Sequence, residues 1–119
     1  MDIRNCAAIV TGGASGLGAA TARLLAQEGA KVALLDVNID GARTLASEIG
    51  GIAVRCDVTD DNSATVALAE AKARHGTPRI LINCAGIGPA KRIVGRDGPM
   101  PLADFAKVIQ INLIGTFNM

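Results

Sequence analysis

The eight residues Thr11-Gly12-Gly13-Ala14-Ser15-Gly16-Leu17-Gly18 constrain this 119-residue chain more than any others. They follow an apolar run, Cys6-Ala7-Ala8-Ile9-Val10, and lead into an Ala/Leu-rich segment of helical period. A strand that turns through glycines into a helix N-terminus presents unpaired N–H groups. With them comes about half a positive elementary charge from the helix dipole, and together they make an anion site. Glycine permits positive φ and lets a bulky diphosphate approach without meeting a Cβ. Asp36 lies eighteen residues beyond Gly18 and closes a second apolar run, Val32-Ala33-Leu34-Leu35. It puts a carboxylate where the ribose hydroxyls of a bound dinucleotide would lie.

The glycine spacing, G-x3-G-x-G at Gly12, Gly16 and Gly18, differs from the commoner G-x-G-x-x-G. Glycine clusters serve ordinary turns too, but the position between a strand and a helix favours phosphate binding. No Gly-Lys-Ser/Thr follows, which excludes a Walker-type site. Asp36 also bears on which cofactor binds. A carboxylate accepts hydrogen bonds from two ribose hydroxyls and repels a 2′-phosphate, and neither Ser15 nor Val37 supplies a compensating cation. NAD is therefore favoured over NADP.

Short apolar runs alternate with longer segments of helical period. Strands are predicted over 6–10, 31–36, 52–56 and 79–83, and helices over 16–28, 39–49, 61–75 and 101–117. In the first helix Ala20, Leu24 and Leu25 are expected to form the inward stripe, with Arg23, Gln27 and Glu28 facing water. Gly29 suits a C′ position, Thr59 or Asp60 suits the cap of the third helix, and Gly76 and Pro78 stop it. This alternation implies βαβ crossovers and a parallel sheet. The connection 84–100 carries four glycines and two prolines and is long enough to suggest a functional loop. The chain reaches Met119 within an apparent helix, so it reads as the front part of a larger domain.

Composition narrows the partners. A core without Trp or Tyr and with only Phe105 and Phe117 must be aliphatic, as buried parallel strands require. The net charge of +1 offers no basic face, so neither nucleic acid nor a membrane surface is an expected partner. Cys6, Cys56 and Cys84 lack metal-ligand or CxxC spacing, so no metal site is expected. They read as small buried hydrophobes in a reducing compartment, hence a cytoplasmic protein.

Several further segments keep two readings open. Asp57-Val58, after the third strand, could receive an adenine, or Asp57 could be a capping or turn residue. Asn83-Cys84-Ala85-Gly86 ends the fourth strand with small residues that let a cofactor lie against the backbone, or forms a simple turn. Cys84 lacks a partner base, so a catalytic thiol is not expected. His75, at a helix end, is explained by the helix dipole. Asn112, within the helical run Val108-Ile109-Gln110-Ile111-Asn112-Leu113-Ile114, reads from its surroundings as a satisfied core amide.

Taken together, the glycine turn, Asp36, Asp57-Val58, Asn83-Cys84-Ala85-Gly86 and Ile111-Asn112-Leu113-Ile114-Gly115-Thr116-Phe117 resemble the short-chain dehydrogenase/reductase family. Cys84 stands where that family usually has a second Asn. With the 87–101 insertion and Asn-Leu-Ile-Gly-Thr-Phe-Asn, it makes the chain similar to the type 2 3-hydroxyacyl-CoA dehydrogenase branch. The resemblance implies an α/β, Rossmann-like doubly wound parallel sheet, incomplete at four strands in the order 3-2-1-4. It implies that Ser15 and Leu17 contact the diphosphate, Asp36 the adenosine ribose and Asp57 and Val58 the adenine. Cys84 and its neighbours would line the nicotinamide ribose. Asn112 would belong to the catalytic set, holding a water in a proton relay.

The implied activity is NAD-dependent hydride transfer on a secondary alcohol, with a 3-hydroxyacyl-CoA as preferred substrate and a homo-oligomer as the full-length form. The family's catalytic Ser and Tyr-x-x-x-Lys have no counterpart here, since the chain holds no tyrosine. Residues 1–119 are thus expected to be a cofactor-binding half, inactive alone, with a non-catalytic dinucleotide-binding module as the alternative.

Overall fold

Continuous aliphatic runs can be buried on both faces only if helices cover both sides of a sheet. The computed structural model, which describes residues 2–119, has that form. The chain runs β1 (Ala7–Thr11), α1 (Gly16–Gln27), β2 (Lys31–Asp36), α2 (Ile39–Ile49), β3 (Ile52–Arg55), α3 (Asp61–His75) and β4 (Pro78–Asn83). The four strands are parallel and ordered β3-β2-β1-β4. Successive strand residues point to opposite faces and build two cores. Ile9, Ala33, Leu35, Ile52 and Val54 pack under Ala64, Ala67 and Ala71 of α3. Val10, Val32 and Leu34 pack under Ala19 and Ala22 of α1 and Ala42, Leu45 and Ala46 of α2.

Local chemistry sets the element ends. Asn38 caps α2 by accepting from the Gly41 N–H at 3.1 Å, and Asp60, one of the two expected caps, accepts from the Ser63 N–H at 2.6 Å. Gly29 follows α1 at φ 86° and Gly76 follows α3 at φ 87°, conformations that disfavour a Cβ. β1 sits between β2 and β4, so the chain leaves it first to one side and later to the other. Ligands of open α/β sheets bind at such a reversal, at the carboxyl ends of the strands.

Four expectations need correction. The inward face of α1 is Gly18, Ala19 and Ala22, with Leu25 and Ala26 partly covered. Ala20 is exposed and Leu24 is 59% exposed, because α1 lies too close to the sheet for a leucine stripe at that phase. Within 84–100, Val94–Gly95 (β5) and Gly98–Pro99 (β6) pair as a small antiparallel hairpin, turned at Arg96 and Asp97, with Gly98 at φ 116° opening β6. The long last helix is three pieces: α4 (Leu102–Ile109), a π-helical turn (Gln110–Ile114) and α5 (Gly115–Asn118). Finally, of the three free cysteines only Cys56 is buried, while Cys6 and Cys84 are half-buried.

Leu34 is fully buried and its truncation leaves a cavity between β2 and the α1–α2 layer. Leu34→Ala is expected to lower the unfolding free energy by about 2–5 kcal/mol in urea melts. Leu24→Ala should change it by less than about 0.5 kcal/mol. Equal losses would contradict the assigned face of α1.

Candidate dinucleotide site

Three of the four glycines of the turn, Gly12, Gly16 and Gly18, are needed for three different reasons. A Cβ on Gly12 would sit 2.7 Å from the Ala85 nitrogen and 2.8 Å from the Cys84 carbonyl carbon, so β1 and the exit of β4 could not meet. A Cβ on Gly18 would collide with the Gly12 carbonyl oxygen and push α1 off the sheet. Gly16, at φ 54°, meets nothing within 4 Å on its Cβ side. The Ala19 N–H bonds the Ser15 carbonyl at 3.1 Å, and Ser15, the cap residue, makes no side-chain capping bond. Among the described residues, nothing accepts from the N–H groups of Gly16, Leu17 and Gly18. Unpaired amides on a glycine cradle at a helix N-terminus fit a diphosphate.

Thr11 fixes that cradle to β4. Its hydroxyl is fully buried, accepts from the Cys84 and Ala85 N–H groups at 3.2 Å each, and lies 3.4 Å from the Asn83 carbonyl oxygen Oδ1. Its role went unread in the sequence, where the only signal was a hydroxyl residue closing an apolar strand. The Asp36 carboxylate stands beside the turn, accepting from the Ala14 N–H through Oδ2 and from the Asn38 N–H through Oδ1, both at 2.9 Å. Asp57 accepts from the Thr59 hydroxyl at 2.7 Å and the Thr59 N–H at 2.9 Å, and these bonds hold its carboxyl below the ordinary carboxylate value. Burial pushes the neighbouring Cys56 thiol up.

Asn112 is exposed and is not the core amide its surroundings suggested. Its carbonyl oxygen accepts from the Ile87 N–H at 2.9 Å and its Nδ2 donates to the Ile87 carbonyl at 2.8 Å. This two-point clamp ties the π turn to the segment after β4. Gly115 closes the turn, its N–H bonding the Gln110 carbonyl, and a Cβ there would meet the Val58 side chain at 2.6 Å. The Asn118 amide adds a bond to the Val58 carbonyl at 2.9 Å.

One cavity of about 650 Å³ unites these elements. Gly12, Ser15, Gly16, Leu17, Gly18, Asp36, Asp57, Val58, Cys84, Ala85 and Gly86 all line it. Asn83 and Asn112 do not line it; Asn112 bonds to the backbone of Ile87, which does, and Asn83 accepts from the Thr11 hydroxyl. Thr59, Ile87, Lys107, Gln110 and Ile111 also line it and were not anticipated.

Thr11→Val keeps the side-chain volume and strands the Ala85 N–H, while the Cys84 N–H keeps its bond to the Thr11 carbonyl at 3.2 Å. It is expected to cost about 1–3 kcal/mol in denaturant unfolding, and unchanged stability would contradict the anchoring role. Thr59→Val should raise the Asp57 pKa toward its ordinary value, read by NMR titration; an unmoved pKa would contradict the assigned cause. Because the folded-state pKa is depressed, the stability Asp57 contributes is present above its unfolded value, near 3.8, and is lost as pH falls through the lower folded value.

Known proteins align with this geometry. The family model described as short chain dehydrogenase matches residues 6–119. The human protein named 3-hydroxyacyl-CoA dehydrogenase type-2 is 39% identical over 122 residues, covering 99% of this chain and 47% of its own length. A solved structure of 3-ketoacyl-(acyl-carrier-protein) reductase from Brucella melitensis, complexed with NADH, superposes with a TM-score of 0.90 at 30% identity, covering 98% of this chain and 48% of that one. Another, described as ribose-5-phosphate isomerase from Brucella melitensis 16M, gives 0.89 at 34% identity and covers 98% and 44%. The chain spans about half the length of the curated relatives it matches. By the match to residues 6–119, on a sheet and glycine turn of this form, the chain belongs to the short-chain dehydrogenase family.

Proposed function

We propose that residues 1–119 are the cofactor-binding part of an NAD-linked oxidoreductase acting on a secondary alcohol or ketone, with a 3-hydroxyacyl-CoA as the substrate class. The observation that carries this reading is the shared cavity, in which the open amides of the glycine turn, Asp36, Asp57-Val58 and Cys84-Ala85-Gly86 meet. The human relative's name supports the substrate class, and the NADH complex of the structural neighbour supports a nicotinamide cofactor.

Gly16, Leu17 and Gly18 would hold the diphosphate by their N–H groups and Ser15 would flank it. Asp36 would accept from the adenosine ribose and disfavour a 2′-phosphate by like charge. Asp57 would accept the adenine amino group while Val58 packs on the ring. The backbone of Asn83, Cys84, Ala85 and Gly86, held by the Thr11 hydroxyl, would line the nicotinamide ribose. Hydride acceptance is the chemistry that a bound nicotinamide supplies. Asn112 would hold the Ile87 backbone in place and keep a water within a proton relay. A general acid/base is required for the hydroxyl proton, and the family's tyrosine has no counterpart in these residues. The 119 residues therefore bind cofactor without turning substrate over. A longer form would carry the remaining groups, assemble as a homo-oligomer and work in the cytoplasm. In the present chain, no helix among the described residues is long and apolar enough to cross a membrane.

Calorimetry on the purified protein should show NAD binding at least about tenfold tighter than NADP, about 1.4 kcal/mol. Incubation with NAD and 3-hydroxybutyryl-CoA should yield no NADH. Equal or reversed preference would overturn the choice of NAD, absence of binding the nucleotide reading, and NADH production the assignment of a binding half.

A further inference from the structure

We infer that Asp36 is a positioning residue for the glycine turn, its carboxylate bracing the loop so that the N–H groups of Gly16, Leu17 and Gly18 face a diphosphate. This rests on the nucleotide-binding reading above and adds to it a second role for the same acid.

The loop between β1 and α1 has few anchors. The Gly13 N–H reaches the Leu35 carbonyl at a long 3.4 Å, and the Ala14 N–H donates to Asp36 Oδ2 at 2.9 Å. Ser15 makes no side-chain capping bond and the first turn of α1 has no acidic residue, so the helix does not cap itself. The other carboxylate oxygen is fixed as well. Oδ1 accepts from the Asn38 N–H at 2.9 Å, and the Asn38 side chain caps α2 by accepting from the Gly41 N–H at 3.1 Å. The acid thus ties the glycine turn to the capped start of a packed helix. Bonds to an ionised acceptor are roughly twice as strong as those between neutral groups. They also take the Ala14 amide out of the set available to a ligand, leaving the three beyond the cap.

The two roles predict opposite signs. A carboxylate next to a diphosphate repels it. If Asp36 served the sugar alone, neutralising it would strengthen binding of a diphosphate whose ribose has no hydroxyls to offer. If it braces the turn, neutralising it disorders the amides and weakens that same ligand.

The test compares ADP with 2′,3′-dideoxyadenosine 5′-diphosphate on the wild type and on Asp36→Asn. Asn presents only one acceptor oxygen to the two N–H groups. The brace requires the dideoxy ligand to bind the variant at least about fivefold more weakly, with the α1 amides beyond Ala19 still protected from exchange. Unchanged or tighter binding of that ligand would overturn it.

A second measurement needs no variant. In the ligand-free protein the Ala14 amide should exchange with solvent at least about tenfold more slowly than the Leu17 amide, and equal rates would overturn the brace. If the wild type binds neither diphosphate, the nucleotide reading fails, while the Ala14 exchange rate still decides whether the turn is braced.

Discussion

Of all the glycines, Gly18 at the start of α1 leaves the least room for a Cβ, and its seat against the Gly12 carbonyl just after β1 governs the rest of the structure. Only a residue without a Cβ fits there. That contact seats α1 low on the sheet, which is why its covered face is made of Gly18, Ala19 and Ala22. It also leaves the first amides of the helix unused by any other group among the described residues, at the cavity lined by Gly12 after β1 and Cys84 and Ala85 after β4. The same shortage of space recurs at Gly12 against Ala85 and at Gly115 against Val58. Small residues at these junctions bring four separate segments to one cavity, so the packing that stabilises the domain also shapes the site.

Much of this was legible in the sequence because parallel strands covered on both sides have a plain signature. Val32-Ala33-Leu34-Leu35 has no polar alternation, and its end at Asp36 agrees with β2. The inward face of α1 was not legible, because a helix rich in both Ala and Leu has two apolar faces. The rule that larger side chains go inside fails where the backbone approach is this close. The π turn was equally hidden. Its sequence, Gln110-Ile111-Asn112-Leu113-Ile114, is good helix, and the extra residue per turn accompanies bonds from Asn112 to Ile87, distant in sequence. The hairpin at 94–99 spans too few residues for any periodicity to show.

The residues read as nucleotide-facing meet at the cavity, Asn83 excepted, since motif order along a βαβ chain places strand ends together. What the sequence could not reveal was how those residues are held. Thr11 and Asp36 each accept from backbone amides of another segment. Such bonds depend on tertiary geometry and leave no local pattern. The Asp36 carboxylate is already engaged before any ligand arrives, so its orientation is set in advance.

The central claim is that the open amides after the cap of α1 are the anion-binding element of this chain. Titrating NAD into the 15N-labelled protein and following each backbone amide by NMR tests it most directly. Saturable shifts centred on Gly16, Leu17 and Gly18, extending to Cys84, Ala85 and Gly86, are the expected result. Shifts that leave those amides unmoved while others respond would contradict it.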